Sequence, residues 1–290
     1  MNLRALIRRC CIAALLFGAS LTAFAANDTI TLQQLTIAIQ AKAKILENSS
    51  GMHHGFESFT AAYNIKPESI SYSDYVLARL LFEATRDAGF WNLHWTITDQ
   101  EPNSDKVWSQ WRTVAKPSAL RPTATAECDE LSALYAFLAL RAGVKGVGLF
   151  WPYANHTVAV WVLHPAKASD VRVVVPTTQI FLTEKDFFGT RTFNAWKQKS
   201  IYEYRRRDVP DSFEIPKPLA EFFLHQIDQY AGASNTALQR LRYLREGVFA
   251  GTWTPEQAAK SALKMRDDLR NGPVEDGNAY WNFAQDMRVQ

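Results

Sequence analysis

Between residues 131 and 175 the spacing of apolar residues changes period once, and this change limits the fold more than any other feature of the chain. Leu131, Leu134, Tyr135, Leu138 and Ala142 recur at the three- and four-residue steps that line one face of a helix. Gly143 follows, where a left-handed residue commonly ends a helix. Beyond it, residues 144–151 read as a glycine-bearing strand and residues 152–155 as a turn. Residues 156–163 read as a second strand, 165–170 as a hairpin loop and 171–175 as the returning strand.

The flanking segments read as helical. Thr31 can cap a helix that runs to about Asn48, and Ser73 can cap another through Leu77, Leu80 and Leu81, stopped at Gly89. An aromatic-rich stretch follows at residues 90–95, with Trp108 and Trp111 a little later; these rings suit both core and groove wall. His94, between aromatics, reads as a hydrogen-bonded core residue. On the C-terminal side, residues 218–230 and 237–245 read as helices. Thr254-Pro255 is an N-cap with proline at the first helical position, opening a helix expected to end at Asn271-Gly272-Pro273. Lys260, Lys264, Arg266 and Arg270 give that helix a solvated polar face.

Residues 1–25 read as an export signal. Arg4, Arg8 and Arg9 precede an apolar run, and Ala23-Phe24-Ala25 is a small-x-small cleavage site, so the mature chain is expected to start at Ala26. An uncleaved N-terminal anchor is the alternative, although nothing after Ala25 prolongs the apolar run. The 32 basic residues less those three arginines leave 29, against 29 acidic ones, so the mature chain is formally neutral. A nucleic-acid partner is therefore not indicated. Arg205-Arg206-Arg207 could touch an anion but reads as a solvated face. An apolar content of 47% and nine tryptophans indicate an ordered globule with a sizeable core. His53 and His54 are adjacent rather than a helical turn apart, and neither a metal-spaced cluster nor a calcium loop is visible. No cofactor is implied.

Loss of the signal also removes Cys10 and Cys11 and leaves Cys128 as the sole thiol. With Thr125 as N-cap, Cys128 falls in the first turn of its helix. Free backbone N–H groups and the positive end of the dipole stabilise a thiolate there. His156, opening a strand, can act as general base, and the pair predicts a thiol pKa below the ordinary value of about 8.5. Glu127, Asp129 and Glu130 oppose this if they face the sulfur but suit a helix N-terminus as capping charges. A buried cysteine serving as a small hydrophobe is the competing interpretation, since Cys128 lies on the same stripe as Leu131. The exported setting weighs against an idle, accessible thiol.

The order of elements over residues 123–181 resembles the transglutaminase-like core of papain-like cysteine enzymes, in an exported bacterial form. Cys128 opens a helix, Gly143 closes it, and His156 enters a strand followed by a hairpin. The resemblance implies an α+β fold, with the cysteine-bearing helix packed on an antiparallel sheet. It implies Cys128 as nucleophile and His156 as its base. It divides the chain into a leader (1–25), a helical N-terminal part (26–112), the core (113–200) and a helical C-terminal part (201–290). The family's aspartate on the returning strand is replaced here by Val175-Pro176-Thr177-Thr178-Gln179. Antiparallel pairing about residues 165–167 brings these positions opposite His156, so Thr177, Thr178 or Gln179 is expected to orient the imidazole. Gln179 is the choice, as an amide can replace the carboxylate, whereas Asp170 lies too near the turn. The implied protein is a periplasmic or secreted cysteine hydrolase or acyltransferase acting on a peptide or isopeptide bond of a protein or peptide substrate. A catalytically inactive binding module on the same fold is the alternative.

Overall fold

The computed structural model describes residues 28–86, 94–97, 107, 109–110, 122–153, 156–166, 168–177, 188 and 209–289. The expected leader and its cleavage site, Gly89, residues 90–93, Trp108, Trp111, Thr178, Gln179 and Arg205-Arg206-Arg207 lie outside the described residues. The architecture is α+β. Its centre is helix α4 (Cys128–Arg141), followed by an antiparallel meander of β4 (Val147–Tyr153), β5 (His156–Leu163) and β6 (Val171–Val175).

The register of β5 and β6 runs in step from Leu163↔Val171 to Ala159↔Val175, the hairpin expected from the apolar pattern. Strand β4 pairs with β5 from Val147↔Trp161 to Phe150↔Val158, then shifts before Tyr153↔His156. Pro152 falls in that shift. It lacks an N–H for a ladder, and a bulge is where a strand tolerates it. The strand thus continues to Tyr153, past the point where the sequence suggested a turn. Alternation separates the side chains of the meander. Ala159, Trp161, Val173 and Val175 join the main core with α4, while Phe150, Val158, Val160 and Val174 form a second cluster.

Helix α4 is buried on nearly every side, not along a single stripe. Residues from Leu131 to Ala139 are all buried. One side meets β5; the other meets α3 (Tyr72–Thr85), where the Tyr135 hydroxyl donates to Ala78 O at 3.3 Å. Ala133, Ala136 and Ala139 between the large residues let the second layer approach closely. Helix α4 ends with Ala142 as C-cap, and Gly143 takes φ +101°, where a β-carbon would be strained.

The N-terminal helices are α1 (Leu32–Leu46) and α2 (Ser50–Ala62), and the C-terminal ones are α5 (Lys217–Tyr230), α6 (Asn235–Phe249), α7 (Pro255–Asp267) and α8 (Val274–Val289). The two groups interlock. Strand β1 (Thr29–Thr31) pairs antiparallel with β7 (Glu214–Pro216), and α8 packs on α2. At the start of α1 the orphan N–H groups of Leu32 and Gln33 donate to Phe213 O (2.7 Å) and Asp211 O (3.1 Å), and that of Gln34 to Thr31 Oγ1 (3.2 Å). Thr31 and Thr254 are the N-caps the sequence suggested, whereas α3 is capped by Ser71 and not Ser73. Helix α7 ends at Asp267, and the residues after Pro273 form α8. A further parallel pair joins β2 (His94–Ile97) to β3 (Pro122–Ala126), which runs straight into α4. No helix among the described residues is long and apolar enough to cross a membrane.

Arg79, buried in α3, is a structural strut. Its Nη2 donates to Ala233 O at 2.5 Å and its Nη1 to Gly51 O at 3.5 Å, tying α3 to the first turn of α2 and the turn before α6. Gly51 sits so close to that turn that a β-carbon would lie 1.8 Å from Gly232 O. Leu134→Ala is expected to cost about 2–5 kcal/mol through the cavity it leaves in α4. Gly51→Ala, which forces backbone apart, is expected to destabilise by at least about 1 kcal/mol. Urea-unfolding midpoints of both variants check this.

Candidate active site

Strand β3 delivers Cys128 to its place. The Gln110 side chain brackets Thr125, accepting its N–H at 2.5 Å and donating to its carbonyl at 2.6 Å. Thr125 is therefore committed to extended backbone and does not cap α4, contrary to the expectation from sequence. Glu127 is the N-cap (φ −99°, ψ 172°), and Cys128 is the first helical residue. Glu130 Oε2 accepts the Glu127 N–H at 2.6 Å, and Asp129 Oδ1 accepts the Glu130 N–H at 2.9 Å. Two of the three acids thus do serve the helix start.

The Cys128 Sγ accepts a hydrogen bond from the Thr157 N–H at 3.4 Å. Thr157 follows His156 directly, so covalent geometry holds the sulfur within about 6 Å of the His156 Cα. The two candidate residues, 28 positions apart in the chain, share one place at the junction of α4 and β5. Both are buried, Cys128 at 8% and His156 at 1% relative exposure.

Ser132, one turn beyond the cysteine, was not singled out in the sequence. Its Oγ donates toward the Cys128 carbonyl at 2.7 Å and lies 3.3 Å from the Thr157 carbonyl and 2.9 Å from Thr177 Oγ1. It links the first turn of α4 to the start of β5 and the end of β6. With one hydroxyl proton it serves one carbonyl at a time and can accept from Thr177. Thr177, one of the three residues expected to orient His156, instead spends its hydroxyl on Ser132. The alternation of β6 explains this, since Thr177 continues the side of Val173 and Val175 that faces α4. Only its inward, fully buried position could have singled out Ser132, and a lone serine on a helix carries no such mark.

Electrostatics at the site run against the expected thiolate. Burial pushes the Cys128 thiol above its ordinary value, and the carboxylates of Asp129 and Glu127 push the same way. The Thr157 and Asp129 N–H groups pull it down but do not win. Burial lowers His156. The resting groups are accordingly a neutral thiol and a neutral imidazole. Asp129 is itself raised, first by burial and then by Glu130 and Glu127. Among the described residues no group of three or more His, Cys, Asp or Glu side chains could hold a metal ion.

No family model, curated protein or solved structure matches the chain.

The titrations follow directly. The rate of Cys128 alkylation plotted against pH is expected to give a midpoint above about 8.5, and the His156 ring signals in an NMR titration a midpoint below about 6.5. A thiol midpoint below 7 would mean that the helix terminus outweighs burial after all.

Proposed function

We propose that the chain is an exported transglutaminase-like cysteine hydrolase or acyltransferase that opens an amide bond through Cys128 and His156. The observation that carries this is the Thr157 N–H to Cys128 Sγ hydrogen bond, which sets the thiol beside the histidine's own strand. The order of elements supports it too: a helix beginning at the cysteine, then a strand beginning at the histidine, with β6 returning beside it.

Chemistry from a neutral pair begins with proton transfer. His156 takes the thiol proton as the sulfur attacks the carbonyl carbon, forming a C–S bond. N–H groups at the start of α4 hold the developing oxyanion. The imidazolium then returns its proton to the departing amine as the C–N bond breaks. Water attacks the resulting thioester in a hydrolase, and a second amine does so in a transferase. Because the imidazole must be neutral to accept the proton, the rate rises with pH through the lowered His156 pKa. Gln179 remains the proposed orienter of that imidazole, now that Thr177 is engaged elsewhere. The substrate class is a protein or peptide, and the setting is the periplasm or the medium outside the cell.

One observation favours the alternative, a binding module that has lost activity: both candidate groups are nearly inaccessible and held neutral. Reaction of the purified mature protein with a thiol-directed acylating probe separates the two. An enzyme is expected to label at Cys128 with turnover, to lose all labelling as Cys128→Ser, and to lose at least about 100-fold in rate as His156→Ala. Labelling only after unfolding would leave the binding module as the function.

The export assignment has its own test. N-terminal sequencing of material recovered outside the cytoplasm is expected to begin at Ala26, and an intact Met1 on membrane-bound protein would make the leader an anchor.

A further inference from the structure

A second polar site lies among the helices at the C-terminal end of α3. A cavity of about 10 Å³ opens there between α3, α5 and α6. Arg86, Arg242 and Arg245 line it together with Glu83 and Tyr230, and Leu238 and Leu241 supply apolar wall. Three guanidinium groups facing so small a space require an account of their charges.

Arg86 donates from both Nε (2.9 Å) and Nη2 (2.7 Å) to one oxygen of Glu83, Oε2. Both side chains are almost wholly buried, at 2% and 3% exposure. The third nitrogen, Arg86 Nη1, is buried with no hydrogen-bond partner. A guanidinium N–H removed from water and left without an acceptor is unfavourable, so native structures rarely contain one. Arg242 donates from Nε to Glu246 Oε1 at 2.7 Å, but the Glu246 side chain is 42% exposed and its charge is screened by water. Arg245 lies over the Tyr230 and Phe283 rings, and the Tyr230 hydroxyl donates to Asp286 Oδ2. Among the described residues Glu83 is the one carboxylate that lines the cavity, with Glu246 and Asp286 acting on the arginines from outside its wall. Burial most disfavours the charges on Arg86 and Arg245; Arg242 adds to this at Arg86 and Arg86 at Arg245, while Glu83 and Glu246 support the first charge and Tyr230 and Asp286 the second.

We propose that this cavity binds a single small monovalent inorganic anion, of chloride size, with Arg86 Nη1 as its principal donor. The volume sets the size, since it admits about one water-sized occupant and not a tetrahedral oxyanion. The unpartnered donor sets the sign, because an anion accepts the Nη1 hydrogen with Arg242 and Arg245 beside it in the lining. The site bridges α3 to α5 and α6, so an occupant stabilises the joint between the N- and C-terminal helices by mass action. It shares no residue with the Cys128 site and does not depend on the proposed activity.

Crystals of the mature protein grown or soaked in sodium bromide test this by anomalous scattering. The expected result is a bromide peak in the cavity within about 3.5 Å of Arg86 Nη1. A water alone at that position, or bromide only at surface cations, would overturn the proposal. In solution, melting in sodium chloride is expected to lie about 2–4 °C above melting in sodium gluconate at equal ionic strength. Equal melting temperatures in the two salts would also overturn it. Arg86→Lys, which keeps a cation for Glu83 but removes the guanidinium fork, is expected to abolish the difference between salts. Because the bromide experiment uses the unaltered protein, the proposal stays exposed to refutation even if that variant does not fold.

Discussion

Helix α4 is buried on nearly every side, and the rest of the protein is arranged around that constraint. A helix buried all round must have every backbone and side-chain polar group satisfied from within the protein. Its first turn is where this is hardest, because the leading N–H groups have no helical partners. Glu130 returns to the Glu127 N–H, Asp129 takes the Glu130 N–H, and Ser132 takes the carbonyl of Cys128. The same turn meets both backbone groups of Thr157, whose N–H reaches Cys128 Sγ and whose carbonyl lies near Ser132 Oγ. The candidate site is thus the place where the central helix solves its own end problem against the central strand.

That arrangement has an electrostatic consequence. A helix N-terminus favours a thiolate by a modest amount that acts over about one turn. Removal of the sulfur from water opposes the charge by more, and Asp129 and Glu127 add to the opposition. The acids that make the helix start are the ones that disfavour the thiolate beside it. The histidine is subject to the same burial and stays neutral for the same reason. Burial therefore disfavours a standing ion pair between the two.

Helix α3 shows burial acting in another way. Arg79 is held largely by backbone carbonyls and joins three elements, whereas Arg86 meets a carboxylate with two of its nitrogens. The first works as a strut; the second leaves a donor for an occupant. Burying a cation is costly unless its hydrogen-bonding capacity is met, and each of the two keeps one buried nitrogen, Arg79 Nε and Arg86 Nη1, without a partner.

Local pattern was enough for the helix through Leu131, Leu134 and Leu138, the limits of β5 and β6, the hairpin between them, and the caps at Thr31 and Thr254, because each rests on contacts between near neighbours in the chain. Cys128 and His156 were legible as the residues that open a helix and the second strand after it. The sequence could not show that Thr125 is fixed by Gln110, that Thr177 turns to Ser132, or that α4 is covered on a second side by α3. It gave no sign of α8 as a separate helix, of the pairing of β1 with β7 from opposite ends of the chain, or of the arginines around the helical cavity. Each depends on which distant segment arrives to supply a partner. A local pattern determines which face of a segment is apolar and where it starts and stops. Only the tertiary structure decides what lies against that face, and with it the solvation that sets whether a thiol is charged.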